Sequence, residues 1–261
     1  MTGVPLLIDI FPARKDNIGY LVHDVESGKT AAIDAPDAAA IEAVLARRGW
    51  VLSDIFITHH HADHVDGIIP LKRDHRVTVT GPAAEAEKIT GLDVLVAGGD
   101  GISFGGTDFY VIDMPGHTKG HVAYYDPAGR RLFSADALFS LGVGRLFEGT
   151  PEEAWAALSM IRSLPDDTLI FCGHEYTADN AKFALSVDPR NAALGLRAKE
   201  VERMREMGQF TIPVSLALEK ATNPFLRADH AAMREAMGLP PGTPPAEVFG
   251  ALRRAKDEFK G

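Results

Sequence analysis

Hydrophobic positions in the first two-thirds of the chain come in short runs broken by Gly, Pro and Asp. That is the rhythm of strands with a few helices between them. Residues 17–25 (NIGYLVHDV) and 30–34 (TAAID) predict a strand pair that turns around Gly28. Residues 54–57 (DIFI) predict a buried strand, and further strands are expected at 77–80, 108–113, 121–125, 131–134 and 168–172. Over 37–50 the spacing of Ile41, Val44 and Leu45 puts them on one helical face. A second helix opens at Thr150-Pro151-Glu152-Glu153, where Thr150 can cap, Pro151 suits the first helical position and Glu153 can close a capping box. Past about residue 176 the texture becomes helical, with helices expected at 178–187, 191–207, 229–237 and 245–258 and interruptions at 211–215 and 221–225. The pattern predicts an α/β domain over residues 1–175 and a helical domain over 176–261.

Charge and composition narrow the function. Lys plus Arg total 27 and Asp plus Glu total 36 in 261 residues, a net charge of −9. So acidic a chain is a poor general binder of nucleic acid or anionic membrane. No apolar run approaches the roughly 18–20 residues of a membrane span. The opening Met1-Thr2-Gly3-Val4-Pro5-Leu6-Leu7 has no basic stretch before its short apolar segment, so no signal peptide is expected. One cysteine, Cys172, rules out an internal disulfide framework and points to the cytoplasm. Its setting in T-L-I-F-C predicts a buried, inert thiol.

The histidines carry the chemistry. H-x-H-x-D-H occupies 59–64, directly after the predicted buried strand. Residues two apart on an extended segment point the same way, so His59 and His61 can face one point while Asp63 and His64 reach an adjacent one. Imidazole and carboxylate are natural ligands for zinc and similar divalent ions. His60 is expected to face away. Three more segments place a ligand type just past a predicted strand: His117 in P-G-H-T-K-G-H, Asp136 in F-S-A-D-A, and His174 in C-G-H-E-Y. Five histidines and two aspartates exceed what one zinc takes. Two ions fit better, one on His59, His61 and His117 and the other on Asp63, His64 and His174, with Asp136 bridging. Asp34 and His121 are expected to steady the imidazoles.

These motifs together resemble the metallo-β-lactamase superfamily. The resemblance narrows to the hydroxyacylglutathione hydrolase (glyoxalase II) family through Asp16-Asn17, Ile33-Asp34-Ala35-Pro36, Gly144-Arg145-Leu146-Phe147-Glu148-Gly149, Gly173-His174-Glu175-Tyr176-Thr177 and Glu219-Lys220-Ala221-Thr222-Asn223-Pro224-Phe225-Leu226-Arg227. It implies an α/β fold, an αββα sandwich with the metals at one edge of its sheets, and a C-terminal α-helical domain over the substrate site. It implies two divalent ions per chain, zinc foremost, with iron or manganese as alternatives. It also implies S-D-lactoylglutathione as substrate, cleaved to D-lactate and glutathione in the second step of methylglyoxal detoxification. A monomer is expected. The same likeness assigns glutathione contacts to Arg145, Phe147, Tyr176 and Arg227. His230 stands where some members have Lys, and Val143 where Cys is often found.

The expected reaction is attack by a metal-bridging hydroxide, with Asp63 and Asp136 as the catalytic carboxylates. The thiolate leaving group departs without a strong general acid, since its conjugate acid has a pKa of about 8.5. A persulfide dioxygenase or another hydrolase of the superfamily is the alternative; a single iron would favour the dioxygenase. An RNA-processing relative would carry a basic face, and a structural zinc site would be richer in Cys.

Overall fold

The computed structural model describes residues 6–261; the opening stretch through Pro5, where no signal peptide is expected, lies outside the described residues. The chain forms two compact units that interleave in sequence, the first running to Asp113 with Thr118–Ser134 and the second comprising Met114–His117 and Ala135–Gly261.

In the first unit one sheet runs in the order β1 (Leu7–Ala13), β2 (Asn17–His23), β3 (Thr30–Ile33), β4 (Leu52–Phe56), β5 (Thr78–Pro82) and β6 (Val94–Val96). Pairing is antiparallel through β3 and parallel from β3 to β6. The predicted pair around Gly28 is β2 and β3, with Gly28 at φ +71°. A second sheet brings together β7 (Gly101–Phe104), β8 (Thr107–Asp113), β9 (Val122–Asp126) and β10 (Arg131–Ala135), antiparallel throughout. Alternation along β4 fills both faces. Phe56 turns toward the second sheet, with ring centroids 5.8, 5.7 and 5.5 Å from Phe104, Phe109 and Tyr124. Ile55 turns the other way, into a cluster with Ile41, Val44 and Leu45 of α1 (Ala38–Arg48). α2 (Ala62–Val65) is a single turn, and α3 (Ile68–Asp74) adds Ile68 and Leu71 to the same cluster.

Strand β1 is not among the strands that the hydrophobic runs predict, because Asp9 interrupts the apolar positions there. In the fold Asp9 is buried and held by Arg47 (3.2 Å) and Arg48 of α1, so the charge is tolerated inside a strand.

The second unit is mostly helical. α4 (Pro151–Arg162) opens with the expected capping box, both of its hydrogen bonds present. α5 (Thr177–Val187) packs on α6 (Ala192–Glu206), and α4 on α9 (Pro245–Glu258). Strand β11 (Leu169–Cys172) pairs antiparallel with the short β12 (Val214–Ser215), which leads into α7 (Leu216–Thr222). α8 (Ala231–Ala236) completes the set. Phe225 is central to the core, 5.9 Å from Phe183 and 5.7 Å from Phe249 between ring centroids. Among the described residues no helix is long and apolar enough to cross a membrane.

Candidate functional site

The loop leaving β4 is fixed on both sides. Ile57 donates its N–H to the Thr80 carbonyl (2.8 Å) and accepts the Tyr124 hydroxyl (2.5 Å), whose pKa burial pushes well above the usual tyrosine value. Thr58 accepts the Val122 N–H (2.9 Å). Farther on, Ala35 donates to the His64 carbonyl and Gly67 to the Ala35 carbonyl, both at 2.8 Å. A Cβ on Gly67 would come within 2.7 Å of that carbonyl, so the close approach requires glycine.

Asp34, at the end of β3, takes a left-handed backbone (φ 58°), which Asp tolerates better than most residues. Its Oδ1 accepts the Thr58 N–H (2.8 Å), and its Oδ2 accepts the Thr58 hydroxyl (2.9 Å) and His64 Nδ1–H (2.7 Å). This arrangement sets tautomers. His64 commits its Nδ1 proton to Asp34 and presents the lone pair of Nε2. The Thr58 oxygen accepts from His59 Nδ1 (3.0 Å), so His59 also presents Nε2, which lies 3.1 Å from His61 Nδ1. Asp34, His59 and His64 have ligand-type atoms within 4.8 Å of one another, but Asp34 spends its oxygens on aiming the imidazoles. Asn17 donates to Asp63 Oδ2 (3.0 Å) and to its carbonyl (3.2 Å), and that Oδ2 is 3.6 Å from His64 Nε2.

His60 turns away from this group, as expected. Its N–H and Nδ1 meet Glu85 Oε2 at 2.7 and 2.8 Å. Glu85, buried, also accepts the Thr118 hydroxyl and the Gly120 N–H (3.0 Å). The sequence pattern does not single out this carboxylate; a lone Glu in an alanine-rich turn gives no local signal. His121 is buried and stacks on His59, ring centroids 4.7 Å apart.

In the second unit, His117 follows Gly116 (φ 149°) and lies against the 144–149 loop. His117 Nδ1–H donates to the Arg145 carbonyl (2.9 Å), so Nε2 faces Asp136. The His117 carbonyl accepts the Phe147 N–H (3.2 Å), and that of Gly116 accepts the Gly149 N–H (3.0 Å). Asp136 follows Ala135, which holds φ at 41°; for a residue with a Cβ that conformation costs about 1–2 kcal/mol. A Cβ on Gly144 would lie 2.1 Å from the Asp136 carbonyl and 2.9 Å from His117 Nδ1. The His174 ring stacks on Tyr176 (4.7 Å between centroids, 5° between planes). Cys172 is fully buried, donates to the His174 carbonyl (3.4 Å), and has its thiol pKa pushed up by burial to about 12, as an inert thiol should.

Asp136 Oδ2 lies 3.4 Å from His117 Nε2 and 3.4 Å from His174 Nε2. These separations are longer than good hydrogen bonds. Two ligands at 2.0–2.1 Å from a tetrahedral ion sit about 3.3–3.4 Å apart. One carboxylate oxygen shared by two imidazoles at that spacing fits a divalent ion on each side.

The other expected residues scatter over the second unit. Phe147 is 61% exposed and meets His117 edge-on (5.3 Å); Tyr176 is 37% exposed. Arg227 forms a largely buried ion pair with Asp188, so its charge is spent inside the helical unit. His230 stands at the N-terminal end of α8 without a side-chain capping bond, its Nε2 3.8 Å from Asp229. A basic group that the motifs do not include lies on α9. Asp257 is 2.9 Å from Arg253 and 3.5 Å from Arg145. Arg253 donates to the Val143 carbonyl (2.7 Å), and its pKa is lowered by burial, with Arg145 adding repulsion. Lys256 donates to the Asp179 carbonyl (2.9 Å), and its pKa is lowered by burial first and then by Arg253. A signal for the group exists in the spacing: Arg253 and Lys256 are three apart on one helix and so share a face.

Comparison with known proteins matches residues 27–174 to the metallo-beta-lactamase superfamily and residues 175–259 to the hydroxyacylglutathione hydrolase C-terminus. The hydroxyacylglutathione hydrolase of Ruegeria pomeroyi is 50% identical over 256 residues, covering 98% of this chain and 100% of its own length. In structure the chain is similar to the B3 metallo-beta-lactamase BLEG-1 (TM-score 0.65, 21% identity, 84% of this chain and 99% of that one). It is also similar to TTHA1623 in a di-iron-bound form (TM-score 0.58, 26% identity, 85% of this chain and 100% of that one).

Proposed function

The chain belongs to the hydroxyacylglutathione hydrolase family of the metallo-β-lactamase superfamily, and from that premise we propose that it hydrolyses S-D-lactoylglutathione to D-lactate and glutathione with two divalent ions. The observation that carries the reading is the single Asp136 oxygen set 3.4 Å from both His117 Nε2 and His174 Nε2. His59, His61 and His117 would hold one ion and Asp63, His64 and His174 the other, with Asp136 available to both. The solved relative that is di-iron-bound supports the count. The N/O donor set suits zinc and also accepts iron or manganese. When bound, such a pair supplies an acidified water and a Lewis acid for the thioester carbonyl.

The protein's own groups do the rest. Asp34 and the Arg145 carbonyl keep His64 and His117 in the tautomers that present Nε2. Glutathione carries two carboxylates, and Arg145, Arg253 and Lys256 lie close enough to one another to meet an anion together. Phe147 and Tyr176 offer half-exposed rings to the thioester arm. Arg227 enters with its guanidinium already paired to Asp188, and so as part of the scaffold under that surface. The departing thiolate needs no general acid of its own. We take the molecule to act as a cytoplasmic monomer.

Loss of thioester absorbance on mixing the metal-loaded protein with S-D-lactoylglutathione tests the reading, alongside metal analysis. Turnover with about two ions per chain, both lost in Asp136→Ala, is expected. An Asp136→Ala protein with two ions and normal kcat would remove the shared-carboxylate assignment. A single iron with no thioesterase activity would point to the dioxygenase.

A further inference from the structure

Glu219, in α7, is completely buried, yet nothing in the proposed chemistry uses it. Its Oε1 accepts the Ser140 hydroxyl (3.0 Å); its Oε2 accepts the Leu141 N–H and the Asn223 side-chain amide, both at 2.9 Å. The Asn223 amide also donates to the carbonyls of Gly142 (3.1 Å) and Phe139 (3.3 Å). Asn180, from α5, donates to the Ser140 carbonyl (3.1 Å). All of these bonds converge on one four-residue turn, Phe139 to Gly142, which closes on itself through a two-way backbone bridge. Leu141 in that turn holds φ at 59°, a conformation a leucine takes only when its surroundings impose it.

A buried carboxylate is a costly way to fill space, and an apolar side chain of the same size would serve packing as well. What the turn carries explains the outlay. The Phe139 ring stands edge-on to His174 (5.9 Å, 86°) and to Tyr176 (5.4 Å, 81°), the two rings that stack on each other. A tilt of Phe139 therefore reaches the imidazole plane from which His174 faces Asp136.

We propose that Glu219, with Asn223, is a positioning residue: it locks the 139–142 turn so that Phe139 sets the orientation of the His174 and Tyr176 rings. The inference rests on His174 being a metal ligand, as proposed above. Glu219 never touches the reacting atoms, so its removal acts on ion affinity and kcat. KM changes less, because the α9 cations stay in place and only the Tyr176 ring contact to substrate is disturbed.

The test uses the full-length, metal-loaded protein in four forms: wild type, Glu219→Leu, Glu219→Gln and Phe139→Leu. Chelator competition reads the affinity of each ion, and thioester hydrolysis reads kcat and KM. Glu219→Leu is expected to weaken one ion by about tenfold or more, with kcat falling alongside and KM within about twofold. Glu219→Gln keeps an acceptor for Leu141 and Asn223 and turns its amide to the Ser140 oxygen, so it recovers most of both. Phe139→Leu leaves the Glu219 network whole and removes the ring edge; it is expected to reproduce the Glu219→Leu signature, and it carries the test if Glu219→Leu does not fold. Wild-type ion affinities in Phe139→Leu, or equal weakening of both ions and KM in Glu219→Leu, would overturn the assignment. A wild type that binds no pair of ions and cleaves no thioester would instead overturn the metal reading, and the role of Glu219 with it.

Discussion

The loop after β4 and the loops carrying His117, Asp136 and His174 aim the same kinds of ligand by different means. In the first unit, four candidate ligands sit in six consecutive residues, and a side-chain carboxylate organises them: Asp34 holds Thr58 and His64, and through the Thr58 hydroxyl it reaches His59. In the second unit, three candidate ligands come from three separate strand ends, and backbone and rings organise them. A carbonyl aims His117, a glycine lets the chain lie on Asp136, and His174 stacks on Tyr176 with Phe139 edge-on to it. A carboxylate can be neutralised by one substitution or by acid. A backbone carbonyl cannot, so the second unit should be vulnerable to steric change and the first to loss of charge.

The strongest way to break this contrast is Gly144→Ala. Its Cβ would fall 2.1 Å from the Asp136 carbonyl and 2.9 Å from His117 Nδ1, and both contacts are too close to absorb without moving the ligands. Displacements of that size at a reacting centre cost on the order of a hundredfold in rate. We expect kcat to fall by at least that much with the fold intact by circular dichroism; near-normal turnover would mean the loop has room the structure does not suggest.

Next in size is Asp34→Ala. Losing the group that sets two imidazole tautomers should weaken ion binding by roughly 10–100-fold. Asp34→Asn keeps one acceptor oxygen and should fall between wild type and alanine in a chelator titration. If Asn and Ala behave alike, the negative charge rather than the hydrogen-bond geometry aims these histidines.

The same contrast explains which parts of the site are legible in the amino-acid sequence alone. Candidate ligands packed into His59–His64 announce themselves, because metal-site spacing is local. His117, Asp136 and His174 are legible one step less directly, as ligand types that each follow a predicted strand. The roles of Glu85 and Glu219 are not legible, since the loops they hold, at His60 and at Ser140, lie 25 or more residues away and a buried carboxylate looks on paper like a surface one. Strand β1 is hidden for the same reason: Asp9 is acceptable in a strand only because α1 supplies Arg47 and Arg48. Arg253 and Lys256 are visible as a pair on one helical face, but periodicity does not say whether a basic face meets solvent or substrate.

The α9 cations sharpen the comparison at a smaller scale. Lys256→Gln and Arg145→Gln should each raise KM for the anionic thioester by roughly tenfold with little change in kcat, the size expected for one charge-assisted contact. Asp257→Asn removes the carboxylate that stands against both arginines and should lower KM. Arg227→Gln should leave KM near wild type and instead reduce thermal stability, because it strands Asp188 with its charge buried. A KM rise in Arg227→Gln larger than in Lys256→Gln would return Arg227 to the substrate surface.

The smallest effect concerns acid. Asp24, in the first unit, accepts the Gly106 and Ser27 N–H groups at 2.8 Å, and these bonds, Gly106 first, hold its carboxyl below the usual value of 3.8. A depressed carboxyl stabilises the fold fully above its unfolded pKa, and that contribution fades as pH falls through the folded value. Glu219, in the second unit, runs the other way: burial pushes its pKa above 4.5, so it opposes folding at neutral pH, and the cost eases as pH falls through its folded pKa. Asp24→Asn should therefore melt lower than wild type at pH 7, and the gap between the two melting temperatures should close as both are taken below about pH 4, where wild type loses the same charge. Glu219→Gln should show the reverse trend, gaining on wild type as pH rises toward neutral. A gap for Asp24→Asn that stays constant from about pH 7 to about pH 3 would mean that the carboxylate charge does not hold the β2–β3 turn.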